Sequence, residues 1–206
     1  MRLGVLGPAN GDLPALARGA QRLLDELGTE RVLYVGADDA LDRVVAGWAR
    51  QIVGLDPSEH ALFDRAAHRC AAATSEEIAE FVDAERARAR LRVFASLPPA
   101  PKRTIELLDG RVICLLYDKA LLDEEDILGA SVLVFGKSGS PLVRRVGSRV
   151  FVAPGPVGKG GGLAVLDDEG GGIRIEVMGT EGDTTLTEHV AAVAKMRVQT
   201  GPGAAG

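Results

Sequence analysis

The first twelve residues, Met1-Arg-Leu-Gly-Val-Leu-Gly-Pro-Ala-Asn-Gly-Asp12, decide the class of fold. Leu3 to Leu6 is a short apolar run stopped by Gly7 and Pro8, the pattern of a buried strand entering a tight loop. Asp12 then offers a helix cap, and Leu13, Leu16, Ala20, Leu23, Leu24 and Leu27 recur at helical spacing until Gly28 stops them. Arg31 to Val35 repeats the strand pattern and ends at Gly36. Leu41 to Ile52 repeats the helix, carrying Val44, Val45 and Trp48. Strand, helix, strand, helix is the opening of an α/β sheet.

Further out, the pattern stays helical and alanine-rich from Ser58 to about Ala95, with Thr74 or Ser75 as a cap ahead of Glu76 and Glu77. From Glu85 to Arg92 Arg alternates with Ala and no aromatic interleaves, which fits a solvated helix face better than a nucleic-acid patch. Pro98, Pro99 and Pro101 end the helical section, and the remainder reads as strands. Thr104 to Leu108 and Val112 to Leu116 flank Asp109-Gly110, a hairpin signature. Ser131 to Phe135 is a buried strand running into Gly136-Lys137-Ser138-Gly139. Leu142 to Val146 and Arg149 to Val152 flank Gly147-Ser148, and Leu163 to Leu166 and Ile173 to Val177 flank Gly170, Gly171 and Gly172. Residues 1–199 are expected to form one domain, and residues 200–206 a disordered tail.

The 206 residues are 46% hydrophobic and 26% charged, with 24 Lys and Arg against 29 Asp and Glu and a formal net charge of -5. That composition fits a folded globular chain. It creates no overall field that would gather nucleic acid or an anionic membrane, so any anion site must be local. The apolar run before Pro8 is too short for a signal-peptide core and no segment reaches membrane-spanning length, so a cytoplasmic location is expected. Cys70 and Cys114 lack metal-type spacing and are expected to be buried free thiols. His60, His68 and His189 show no ligand spacing either.

The order and spacing of these pieces resembles the calcineurin-like metallophosphoesterase superfamily, in its small single-domain bacterial and archaeal branch, from Met1 to about Gly182. The resemblance implies an α/β fold of two packed mixed β-sheets with helices on both outer sides. Its cleft would lie at the loops after Leu6, Val35, Leu116 and Phe135. Where the family's first strand ends in S-D-x-H-G-N, Pro8 stands for the Asp and Asn10 for the His. The Gly-Asp that closes the second strand is Gly36-Ala37. The third motif, G-N-H-D, is read at Gly54-Leu55-Asp56-Pro57, with Leu55 in place of the Asn ligand. A later His-Gly is Tyr117-Asp118, the closing G-H-T-H is Gly136-Lys137-Ser138-Gly139, and the N-P-G-S loop is Ala153-Pro-Gly-Pro156.

Two-metal hydrolysis holds a pair of dications about 3.5–4 Å apart. At an effective dielectric of about 20 and ~3.7 Å, two bare dications repel by roughly 18 kcal/mol, so a bridging carboxylate and further anionic or imidazole ligands must offset that. Pro8, Ala37, Leu55 and Gly139 supply no such ligand, and Lys137 brings a fixed cation to where one metal would sit. The expectation is a metallophosphoesterase-like scaffold with its metal site lost and no cofactor. Such a pseudoenzyme would act as a protein-interaction or regulatory module, through a protein partner or self-association, without nucleic acid or membrane.

Asn10, Asp38, Asp118, Lys137 and Ser138 are the residues expected to line the vestigial cleft, with Lys137 paired to Asp118 or Asp38. One alternative is an anion pocket in which Lys137, the amides of Gly136 to Gly139, and Arg144 or Lys159 hold a phosphorylated small molecule or nucleotide. Another is a phosphoesterase with an altered metal site, such as one Mg²⁺ or Ca²⁺ on Asp38, Asp39, Asp56 and Asp118. Gly136-Lys137-Ser138 does not make a P-loop, because the first glycine of that motif would fall at Ser131, inside a strand, and no helix follows. Gly155 to Gly162 lacks the strand, turn and helix of a phosphate cradle and reads as a loop bordering the cleft.

Overall fold

Strand β1 (Arg2–Leu6) pairs in parallel with β2 (Arg31–Tyr34), Leu3 opposite Arg31 and Leu6 opposite Tyr34, in a computed structural model that describes residues 1–54, 56–158, 160–168 and 171–191. The connecting helix α1 (Leu13–Gln21) starts at Asp12, whose carboxylate accepts the Ala15 amide at 2.9 Å. It runs on into a π turn over Arg22–Glu26 before Gly28 reverses the chain. Helix α2 (Ala40–Val53) follows β2 and ends on Gly54 in the left-handed region.

The helical middle section is two helices, α3 (Leu62–Cys70) and α4 (Ser75–Arg90), and Thr74 closes a capping box with Glu77 as expected. The solvated face expected from Glu85 onward is corrected. The Glu85 carboxylate binds Arg65 at 2.6 Å and Arg88 at 2.7 Å, and those two guanidinium side chains are only 2% and 9% exposed. The Arg and Ala alternation therefore hides a buried ion triad that clamps α3 to α4, while Arg86, Arg90 and Arg92 stay outside. The helix expected to about Ala95 ends earlier, and the chain leaves it for β3 (Phe94–Ser96), parallel to β2 with Tyr34 opposite Ser96. Three residues are too few to show a strand period, and Leu91 and Phe94 are spaced as on a helix.

The expected hairpin is β4 (Thr104–Leu108) and β5 (Arg111–Leu116), with Asp109 and Gly110 at φ 49° and 67° in its turn. Helix α5 (Glu124–Gly129), which the sequence reading did not contain, leads to β6 (Val132–Phe135), parallel to β5. Then come β7 (Leu142–Val146) and β8 (Arg149–Ala153), with β8 parallel to β6. The chain returns to the first sheet through β9 (Gly162–Asp168), β10 (Gly172–Gly179) and an additional strand, β11 (Thr184–Ala191). The described residues form a six-stranded sheet, β11-β10-β9-β1-β2-β3, and a five-stranded sheet, β4-β5-β6-β8-β7.

The sheets pack face to face. Leu3, Val5, Leu33 and Leu166 of the first meet Ile113, Leu115, Val132, Val134 and Val152 of the second, all buried. Each such side chain contributes about 1.5–3 kcal/mol by leaving water. Leu16, Leu23 and Leu41 of the first two helical segments cover the outer face of the six-stranded sheet. Ile127 of α5 covers Cys114, Leu133 and Phe135 on the other. Two mixed sheets with helices on both outer sides is the architecture expected. Cys114 is buried as expected, whereas Cys70 is half-buried. Gly170 of the expected last turn and the expected tail of residues 200–206 lie outside the described residues. Among those described, no helix is long and apolar enough to cross a membrane.

Candidate functional site

The carboxyl ends of β1, β2 and β3 in one sheet meet those of β5, β6 and β8 in the other. A Cβ on Gly136 would overlap the Val35 carbonyl oxygen, and one on Gly7 the Gly155 carbonyl oxygen, so glycine at both positions lets the backbones touch. The ladders continue past the strand ends: Val35 N–H donates to Leu6 at 2.8 Å, Leu97 to Tyr34 at 3.1 Å and Gly136 to Leu116 at 3.1 Å. Two cavities open at this seam.

The smaller, about 210 Å³, is lined by Pro8, Asn10, Tyr117 and the Gly136–Gly139 loop. Asn10 and Gly11 have φ 49° and 88° at the centre of a turn closed by Asp12 N–H to the Ala9 carbonyl, 2.9 Å, a conformation that selects Asn-Gly. Lys137 Nζ donates to Asp118 Oδ2 at 2.5 Å, the first of the two pairings expected. That bond, with a second from the Ala120 amide, holds the Asp118 carboxyl below the usual carboxylate range, and the Asp118 carboxylate raises Lys137.

Three of the four amides considered for an anion cradle, Gly136 to Gly139, already have carbonyl partners. Gly136, Lys137 and Ser138 N–H groups donate to the carbonyls of Leu116, Tyr117 and Gly136, and the Ser138 hydroxyl to that of Ser140 at 2.6 Å. Arg144 sits on β7 and does not line the cavity, and Lys159 lies outside the described residues.

The larger cavity, about 400 Å³, lies beside the first, between residues 36–39 and 96–100 and the end of β5, and Tyr117 belongs to both. Asp38 lines this second cavity, not the first. Its carboxylate accepts the Tyr34 hydroxyl at 2.7 Å and the Ala40 amide at 3.2 Å, so it does not serve Lys137. The Tyr34 oxygen in turn accepts the Ala9 amide at 3.0 Å. The ring is fully buried, and a Cβ on Gly36 would overlap it. Burial first, then the bond to Asp38, pushes the Tyr34 pKa far above its usual value, so the phenol keeps its proton. Ala9, Tyr34 and Asp38 thus stitch the first loop to the second. Sequence reasoning took Tyr34 as one more apolar strand residue; its only signal was an aromatic with a hydroxyl two places before a strand-ending glycine.

Gly54-Leu55-Asp56-Pro57 does not follow a strand beside β2, where the third motif was expected. Gly54 caps α2, and Asp56 accepts the Ser58 amide at 2.9 Å on the helical side of the molecule, in a groove with Arg88 and Arg92. Leu55 lies outside the described residues. The parallel strand beside β2 is β3, so the loop in that place is Ser96-Leu97-Pro98-Pro99. Asp38 and Asp39 both line the larger cavity, but Asp56 is on the helical side and Asp118 is bound to Lys137, so the four carboxylates do not converge. Among the described residues no three His, Cys, Asp or Glu come together to hold a metal, and His60, His68 and His189 are all exposed. Pro8, Ala37, Leu97, Tyr117 and an ammonium already bound to a carboxylate do not fit a dinuclear centre.

No family model and no curated protein matches the sequence. Among solved structures, the chain is similar to a conserved predicted phosphoesterase from Streptococcus pneumoniae, with 11% identity and a TM-score of 0.53 over 92% of this chain and 97% of that one. It is similar to vacuolar protein sorting 29 from Cryptosporidium parvum at 12% identity, with the same TM-score of 0.53 and the same coverage of 92% and 97%. At such identities the likeness concerns the backbone. Together with the two-sheet topology and the row of parallel strand ends, it shows that the chain has the calcineurin-like metallophosphoesterase fold.

Proposed function

We propose that this chain is a catalytically inactive metallophosphoesterase-like protein, one domain over residues 1–199, that serves as a protein-interaction or regulatory module. The observation that carries the reading is the Lys137–Asp118 pair at the ends of β6 and β5. Where the fold presents ligands to cations, this chain places a cation of its own and neutralises it internally. Ala37 adds to this, because it offers no carboxylate to bridge two metals. The fold by itself does not choose, since its solved relatives include a predicted phosphoesterase and a vacuolar sorting protein.

The test is turnover of p-nitrophenyl phosphate and bis-p-nitrophenyl phosphate with Mn²⁺, with Ni²⁺ and with no added metal. The expected result is no metal-stimulated hydrolysis. Metal-stimulated turnover that disappears in Asp38→Asn or Asp118→Asn overturns the proposal and makes the protein a phosphoesterase of altered site.

A further inference from the structure

A further cavity lies among α2, α3 and α4, away from the cleft. Glu77, Glu80, Phe81, Ala84 and Glu85 recur at i, i+3, i+4, i+7 and i+8, so one face of α4 makes its longest wall. Arg65 and Arg69, one turn apart on α3, line it from another side, and Ile52 and Val53 line it from the end of α2. Its volume is about 330 Å³. Most of its charges are already engaged. Glu85 takes Arg65 at 2.6 and 3.0 Å, and the Glu77 carboxylate accepts the Thr74 amide at 2.7 Å in the helix cap.

Arg69 and Glu80 are different. Both are exposed in this one cavity, and among the described residues neither side chain makes an ion pair or hydrogen bond, with the other or with any third group. The Arg69 guanidinium lies at the end of α2, its Nη2 3.7 Å from where a Cβ on Gly54 would stand. One cavity thus holds a cation and a carboxylate that do not neutralise each other, together with apolar surface from Ile52, Val53, Phe81 and Ala84. Glu80 and Glu77 oppose a simple anion such as phosphate, and Arg69 opposes a simple amine. A ligand carrying both charges meets both groups. The volume stands at the small end of the range of about 300–1,000 Å³ that ligand sites span, which suits one amino acid better than a nucleotide or a peptide.

We propose that this cavity binds a free amino acid with an apolar side chain. Its carboxylate pairs with Arg69, a geometry that a guanidinium can satisfy with two parallel hydrogen bonds, and its ammonium pairs with Glu80. The side chain rests against Phe81 and Val53. The site uses no residue of the cleft and stands whether or not the chain hydrolyses phosphoesters.

Isothermal titration of the full chain with L-valine, L-leucine and L-phenylalanine, each up to about 10 mM, tests it. At least one of the three should bind. The N-acetyl and the amide derivative of that amino acid, each lacking one charge, should bind about tenfold or more weakly. Arg69→Gln and Glu80→Gln should each raise the dissociation constant about tenfold or more, and Arg86→Gln, outside the cavity, should leave it unchanged. What binding the N-acetyl derivative retains should fall in Arg69→Gln and not in Glu80→Gln, which assigns the two ends. Circular dichroism checks that each variant is folded. No binding of any of the three amino acids, equal binding of the charge-blocked derivatives, or binding indifferent to both cavity substitutions overturns the proposal.

Discussion

Lys137 Nζ lies 2.5 Å from Asp118 Oδ2, joining the loops that follow β6 and β5. Both groups are solvated, so screening keeps the stabilisation small, and what the pair sets is local charge. Asp118, depressed in the folded state, contributes above the ordinary carboxylate pKa of about 3.9 and loses that contribution as pH falls through its folded value. Lys137, raised in the folded state, contributes below about 10.4 and loses its contribution as pH rises through its folded value. The pair is therefore intact at every pH between. In Lys137→Ala, the Asp118 carboxyl midpoint followed by NMR should move up toward the ordinary value with little change in unfolding free energy. An unmoved midpoint would mean that the pair does not form.

Removing the Tyr34 hydroxyl takes away both the donor to Asp38 and the acceptor for the buried Ala9 amide. Tyr34→Phe should cost about 1–3 kcal/mol, read as a lower urea midpoint at unchanged slope.

The Glu85 triad gives a larger effect. Glu85→Gln leaves Arg65 and Arg88 buried without their shared carboxylate, a loss of about 3–5 kcal/mol. Arg65 foremost, and then Arg88, hold the Glu85 pKa down. The wild type should therefore lose stability as pH drops below the ordinary glutamate value of about 4.3, and the variant should show a flatter acid limb in unfolding experiments.

Two glycines of one loop should behave oppositely. A Cβ at Gly136 meets the Val35 backbone, which cannot yield as a side chain would, so Gly136→Ala should cost about 3 kcal/mol. Gly139 faces open space without a positive φ, and Gly139→Ala should be nearly neutral. Thermal denaturation of the pair compares them directly.

Much of the scaffold could be read before any coordinates, because strongly periodic segments carry their own assignment. The Leu3–Leu6 strand, the Asp12 cap and the Asp109-Gly110 turn are all as expected. What escaped was set by tertiary contact. Strand β3 is only three residues long, too short for its end to be marked in the sequence, and Gly54 on the helical side offers the more visible glycine. Strand β11 alternates mostly polar residues along an outer edge, with Leu186 and Val190 packed on the core, a pattern too weak to mark a strand. Of the expected cleft residues, Asn10, Lys137 and Ser138 line one cavity and Asp118 reaches it through Lys137, but Asp38 serves Tyr34 in the next. No sequence spacing separates those two aspartates; only the turn of Tyr34 beneath Gly36 does.

Elemental analysis of protein purified with Mn²⁺ present, then freed of loosely held ions, bears most directly on the proposal that an internal ion pair stands where metals would bind. Far less than one transition-metal ion per chain is expected, with no gain in thermal stability on adding Mn²⁺. One or two tightly held ions per chain, lost in Asp118→Asn or Asn10→Ala, would contradict it.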